Sequence, residues 1–190
     1  MEQNVVGKKI LTLCSDKNIS KEELAECSGL SLEQIDRLIS ADSIPSLGSL
    51  IKIARGLGVR VGTFLDDSKE LGPVLHRAND LQEAVTFSSQ LSDANSHLDF
   101  YALASQKAGR HMEPFIITIK PSVEHKPILS THEGEEFIYV LKGSIKVHYG
   151  KEEHVLHAGD SIYYDSIVDH LVEAQNGETA QILAVVYAPM

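Results

Sequence analysis

At 190 residues, with 43% hydrophobic and 23% charged side chains, the chain can bury one large core or two modest ones and has an ordinary globular composition. Its longest apolar run, ILAVVYA, is too short to span a bilayer, and MEQNVVGKKI lacks the apolar segment of a signal peptide, so a cytoplasmic protein with no membrane partner is expected. The net charge of −10 is uneven: residues 1–66 carry eight Lys and Arg against nine Asp and Glu, and residues 67–190 carry nine against eighteen. The acidic second part should repel phosphate, which makes the first part the better candidate surface for nucleic acid, although its charge alone does not mark it as one.

Val6, Ile10, Leu11 and Leu13 give a first helix an apolar stripe, and Cys14 and Cys27 read as helix-borne thiols rather than a disulfide. Residues 20–41, SKEELAECSGLSLEQIDRLISA, predict two short helices and a tight turn. Ser20 with Glu23, and Ser31 with Gln34, each form a capping box, in which the Ser oxygen takes an unpaired backbone N–H and the Glu or Gln reaches back. Gly29 can adopt the positive φ that ends the first of these helices, and Ala25 is small enough for the second to cross closely. Leu24, Leu30, Ile35, Leu38 and Ile39 recur at helical spacing and face inward. Ser46 can cap a fourth helix carrying Leu47, Leu50, Ile51, Ala54 and Leu57, stopped by Gly58, and a short fifth helix follows at 61–65. Two capped helices joined by a Gly turn make a helix-turn-helix, whose second helix can enter a DNA major groove. On KEELAECSGLS and PSLGSLIKIARGLGV the segment resembles the five-helix domain of lambda-type repressors and Cro, over roughly residues 4–66.

That resemblance implies double-stranded DNA as a partner. Residues Leu32, Glu33 and Arg37 would reach base edges, and Ser20, Lys21 and Ser31 would approach phosphates; Gln34 also lies on the outer face. Glu33 and Asp36 against Arg37 make this helix net negative, so phosphate contacts are expected from Lys8, Lys9, Lys17, Lys21, Lys52, Arg55 and Arg60 if these share a face. Few contacts of this kind call for a homodimer on two half-sites.

Residues 66–80, DDSKELGPVLHRAND, break the helical pattern, and the chain divides into a head (1–66), a linker (67–82) and a β domain (83–190). Strands are expected at 97–105, 114–121, 136–143, 144–150, 160–166 and 180–188, separated by Gly turns, with His154 and His157 on a further rising strand after 151–153. Short strands with regular Gly turns imply a sandwich or barrel. THEGEEFIYVLKGSIKVHYG and HAGDSIYYDSIVDH resemble the two motifs of a cupin, over about residues 100–188. The fold class is therefore α+β multidomain: an all-α five-helix head and an all-β cupin jelly-roll barrel.

The cupin resemblance implies a ligand set of His132, Glu136 and His170, with Ser130 where the first His of the motif belongs, Asp165 in place of the motif Pro and Glu124 in place of a Gly. Two imidazoles and a carboxylate suit one divalent ion (Fe, Mn, Ni or Zn). The loss of one ligand favours instead a metal-free pocket in which His132 and His170 hydrogen-bond a small-molecule effector. His125 is the nearest alternative ligand. Ile138, Val140, Ile145, Val147 and Ile162 are expected to line the effector pocket. The combined reading is a transcriptional regulator, a repressor without enzymatic activity. A metal-dependent cupin oxygenase or isomerase with a vestigial head, and a protein-interaction adaptor, are the alternatives.

Overall fold

The computed structural model describes residues 5–40, 46–65, 72–78, 85–88, 97–121 and 129–189. The head consists of α1 (Val5–Lys17), α2 (Lys21–Ser28), α3 (Leu32–Ile39), α4 (Leu47–Gly56) and α5 (Gly62–Leu65). Both capping boxes form. Glu23 N donates to Ser20 Oγ at 3.1 Å and Ser20 N to Glu23 Oε2 at 2.7 Å. Gln34 N donates to Ser31 Oγ at 3.2 Å and Ser31 N to Gln34 Oε1 at 2.8 Å. Gly29 closes α2 at φ 67°. Ile10, Leu24, Ile35, Leu38, Leu50 and Ile53 are fully buried and form the head's core. The tightest helix crossing is set by Gly56 on α4, whose Cβ would stand 3.2 Å from the backbone nitrogen of Ser28 at the end of α2. A side chain there would push α4 away from the helix-turn-helix.

The β domain holds nine strands among the described residues: β1 (Val85–Ser88), β2 (His97–Ala102), β3 (Met112–Ile119), β4 (Glu135–Lys142), β5 (Ser144–Tyr149), β6 (Glu152–His157), β7 (Ser161–Asp165), β8 (His170–Ala174) and β9 (Ala180–Tyr187). They form a six-stranded sheet in the order β1-β2-β3-β9-β4-β7 and a three-stranded sheet, β6-β5-β8, with every pairing antiparallel. Burial alternates strictly along β3 and β9, as one covered sheet face requires. All six strands expected by position are present within a few residues. The rising strand with His154 and His157 is β6. Strands β1 and β8 had no signal of their own, and β8 begins at His170, where the second motif ends. No described helix is long and apolar enough to cross a membrane.

Of the expected linker, residues 72–78 are described and the remainder lies outside the described residues, as does His125. The head rests on the barrel. Arg60 donates to the carbonyl of Arg110 at 2.8 Å, and Arg55 pairs with Glu133 at 2.6 Å. Gly62 lies over a buried ion pair between Arg110 and Glu113, so close that a Cβ there would stand 2.6 Å from both side chains.

Candidate functional site

Two loops carry the three cupin-motif donors, and backbone bonds zip these loops together. Ser130 N donates to His170 O at 2.7 Å, and His170 N to Ser130 O at 2.9 Å. His132 N donates to Ser166 O at 3.0 Å, and Ser166 N to Gly134 O at 2.9 Å. Glu136, the second residue of β4, points inward between them. All three are buried, and one donor atom from each lies within 4.8 Å of the others. His132 Nε2 stands 2.9 Å and His170 Nε2 3.4 Å from the same carboxylate oxygen, Glu136 Oε1. Tyr164 donates its hydroxyl to Oε2 at 2.7 Å.

The protonation logic follows from the other ring nitrogens. His132 Nδ1 lies 3.0 Å from the carbonyl of Glu133, and His170 Nδ1 lies 2.8 Å from that of Val168. A carbonyl only accepts, so each Nδ1 carries a proton. In a neutral ring that leaves Nε2 with a lone pair aimed at a carboxylate oxygen. Such an arrangement calls for a proton or a cation between the ring nitrogens and the carboxylate. A backbone carbonyl fixing Nδ1–H is the usual outer support of a histidine metal ligand. The donor set therefore fits a divalent ion: His132, Glu136 and His170 would hold it, leaving other positions open. Burial raises the Glu136 carboxyl, but the hydrogen bonds and charge of His132 and His170 outweigh it and hold the group well below the usual carboxylate range. For His170, burial works to lower the pKa, and its hydrogen bond and charge interaction with Glu136 prevail, so the ring is raised.

Ser130, at the place of the missing fourth ligand, sits under Gly48 of α4, where a Cβ added to Gly48 would stand 2.5 Å from Ser130 Oγ.

A cavity of about 260 Å³ lies between head and barrel. The head contributes Leu30, Gln34, Leu47, Gly48 and Lys52; the barrel contributes Phe100, Ile117, Ile138, Ile182 and the three donors. Of the expected pocket residues, only Ile138 lines it. Val140, Ile145 and Val147 are fully buried in the core, and Ile162 packs partly buried against that core. Alternation identified the inward face correctly but not which end of the barrel is hollow. Lys52, Leu30 and Gln34 were missed as lining residues, because nothing local marks a helix residue as facing a strand far along the chain.

Of the residues expected to meet DNA, Leu32, Glu33 and Arg37 are exposed, as are Ser20 and Ser31, while Lys21 and Gln34 are half-buried. Both acids of α3 are paired: Asp36 with Lys21 of α2 at 2.7 Å, and Glu33 with Arg37 at 2.6 Å. The hydrogen bond and charge of Asp36 raise the Lys21 ammonium. Exposed pairs like these are worth little, so Arg37 can leave Glu33 at small cost. The expected common face of cations is not realised. Lys52 lines the cavity, and Arg55 and Arg60 engage the barrel.

Residues 9–70 match the family described as the Cro/C1-type HTH DNA-binding domain, and residues 115–186 match the cupin domain. The HTH-type transcriptional regulator SutR of Escherichia coli (strain K12) is 22% identical over 90% of this chain and 87% of its own length. A crystal structure of an HTH_3 family transcriptional regulator from Vibrio cholerae superposes with a TM-score of 0.68 at 23% identity, covering 98% of this chain and 97% of that one. Hydroxypropylphosphonic acid epoxidase from S. wedmorenis shares the architecture at a TM-score of 0.50 and 18% identity, covering 97% of this chain and 98% of that one. With capped helix-turn-helix and cupin barrel each matched in its own segment, the chain joins a Cro/C1-type helix-turn-helix DNA-binding domain to a cupin domain.

Proposed function

We propose that the protein is a sequence-specific DNA-binding repressor whose barrel senses a small-molecule effector and sets how the head meets DNA. The observation that supports this most is the shared cavity, which Gln34 of the DNA-reading helix lines together with Glu136 and His170. A ligand there has different contacts in docked and undocked arrangements, and that difference is what shifts a conformational equilibrium. In this reading His132, Glu136 and His170 would hold one divalent ion on the barrel side of the cavity. With Lys52, Arg55 and Arg60 turned toward the barrel, one head has few cations left for phosphate. The active form is accordingly a cytoplasmic homodimer on two half-sites.

The test is a shift and footprinting assay on the protein's own upstream region. The wild type should prefer that fragment to unrelated DNA and protect two half-sites about 34 Å apart. Arg37→Ala should weaken specific binding about tenfold or more, as loss of a bidentate base contact does. Equal affinity for both fragments would remove the proposal. The facial arrangement of two imidazoles and a carboxylate favours a second reading, a metal-dependent enzyme with a vestigial head. That reading predicts no preference for the upstream fragment.

A further inference from the structure

We infer that the cavity is a site for a small monocarboxylate with an apolar body, held at its charged end by Lys52 and Gln34 of the head. The inference rests on the effector-sensing reading above and names the ligand class. Lys52 is the one cation besides the histidines among the described residues lining the cavity, and its side chain is half-buried there. Among the described lining residues the one carboxylate, Glu136, is already engaged by His132, His170 and Tyr164, so the Lys52 ammonium is left for an anionic ligand. Gln34 gives its Oε1 to the backbone of Ser31, which leaves its amide NH₂ as a donor. An ammonium and an amide NH₂ suit the two oxygens of a carboxylate.

Phe100, Ile117, Ile138 and Ile182 give the cavity a largely apolar barrel wall, which suits a hydrocarbon body. Because Gln34 is the N3 residue of the α3 capping box, occupancy at this end acts directly on the helix that carries Leu32, Glu33 and Arg37.

Calorimetric titration of the full-length protein with butyrate, hexanoate, benzoate and phenylacetate, each beside its uncharged primary amide, tests this. At least one acid should bind, with its amide about tenfold or more weaker, the scale of one charge-assisted contact. Lys52→Met should bind that acid about tenfold or more weakly and the amide unchanged, while Lys52→Arg should keep the preference for the acid. No binding by any acid, equal binding of acid and amide, or unchanged acid binding by Lys52→Met would overturn the inference. A parallel titration with the upstream fragment separates the two proposals. Specific DNA binding without acid binding sinks the ligand class alone; acid binding without specific DNA binding sinks the regulator reading alone.

Discussion

Gly134→Ala should destabilise the barrel by roughly 3 kcal/mol or more, the range of a forced backbone clash added to a strained φ. Gly134 lies between His132 and Glu136 at φ 109°, and a Cβ there would stand 1.9 Å from the carbonyl oxygen of Tyr187. Both partners are backbone, so no rotamer change relieves the contact. Relief requires the loop before β4 to lift away from the end of β9, and Gly134 O is the acceptor of Ser166 N. The two donor loops would part together. Gly159→Ala is the control: its φ is 97°, but nothing lies within 4 Å of the added Cβ. That change should cost only the strain of a left-handed side chain, about 1–2 kcal/mol. Urea denaturation midpoints of the two variants measure the difference, and equal losses would show that Gly134 is required for its φ alone.

Arg110→Met should cost roughly 3–5 kcal/mol, because it strands a buried carboxylate. Arg110 and Glu113 are 7% and 4% exposed, and Nε meets Oε2 at 2.6 Å. The guanidinium also donates to the carbonyls of Ser105 and Lys107, so its removal leaves several acceptors short. The double variant Arg110→Met, Glu113→Leu should recover much of the loss, since replacing both buried charges removes the desolvation that one alone would suffer. Thermal or urea unfolding of the three variants gives the cycle, and a double variant no better than Arg110→Met would contradict it. The pair lies under Gly62, so the same variants loosen the seat of α5 on the barrel.

Local signals carried most of the fold into the sequence. Ser20–Glu23 and Ser31–Gln34 are three-residue patterns whose partners are neighbours, so the caps are legible without tertiary context. The Ile, Val, Tyr and Phe runs of β3, β4, β5 and β9 were legible because each buries one face. β8 was not: its residues HLVEA are mostly half-buried and too few to show alternation. The cupin resemblance singled out His132, Glu136 and His170, whereas the close approach of Gly48 to Ser130, from a helix of the other domain, had no local signal. The same holds for the cations. A lysine at residue 52 reads as a solvated face until α4 is placed on the barrel mouth. Arg110 and Glu113 carried no motif, because a single buried pair of this kind follows from packing rather than from pattern.

The arrangement of head on barrel can be locked and released in one protein. A Cβ at Gly48 would lie 3.8 Å from Ser130 Cβ, the mean Cβ separation of a disulfide, about 3.8 Å. In a Cys27→Ser background, which removes the exposed native thiol, Gly48→Cys with Ser130→Cys should cross-link on oxidation. Fluorescence anisotropy with the upstream duplex then compares the oxidised and reduced forms. The account predicts that DNA affinity changes when the staple closes and returns when dithiothreitol opens it. Equal affinity in both states, with the cross-link verified by mass, would contradict control of DNA reading by the docked barrel.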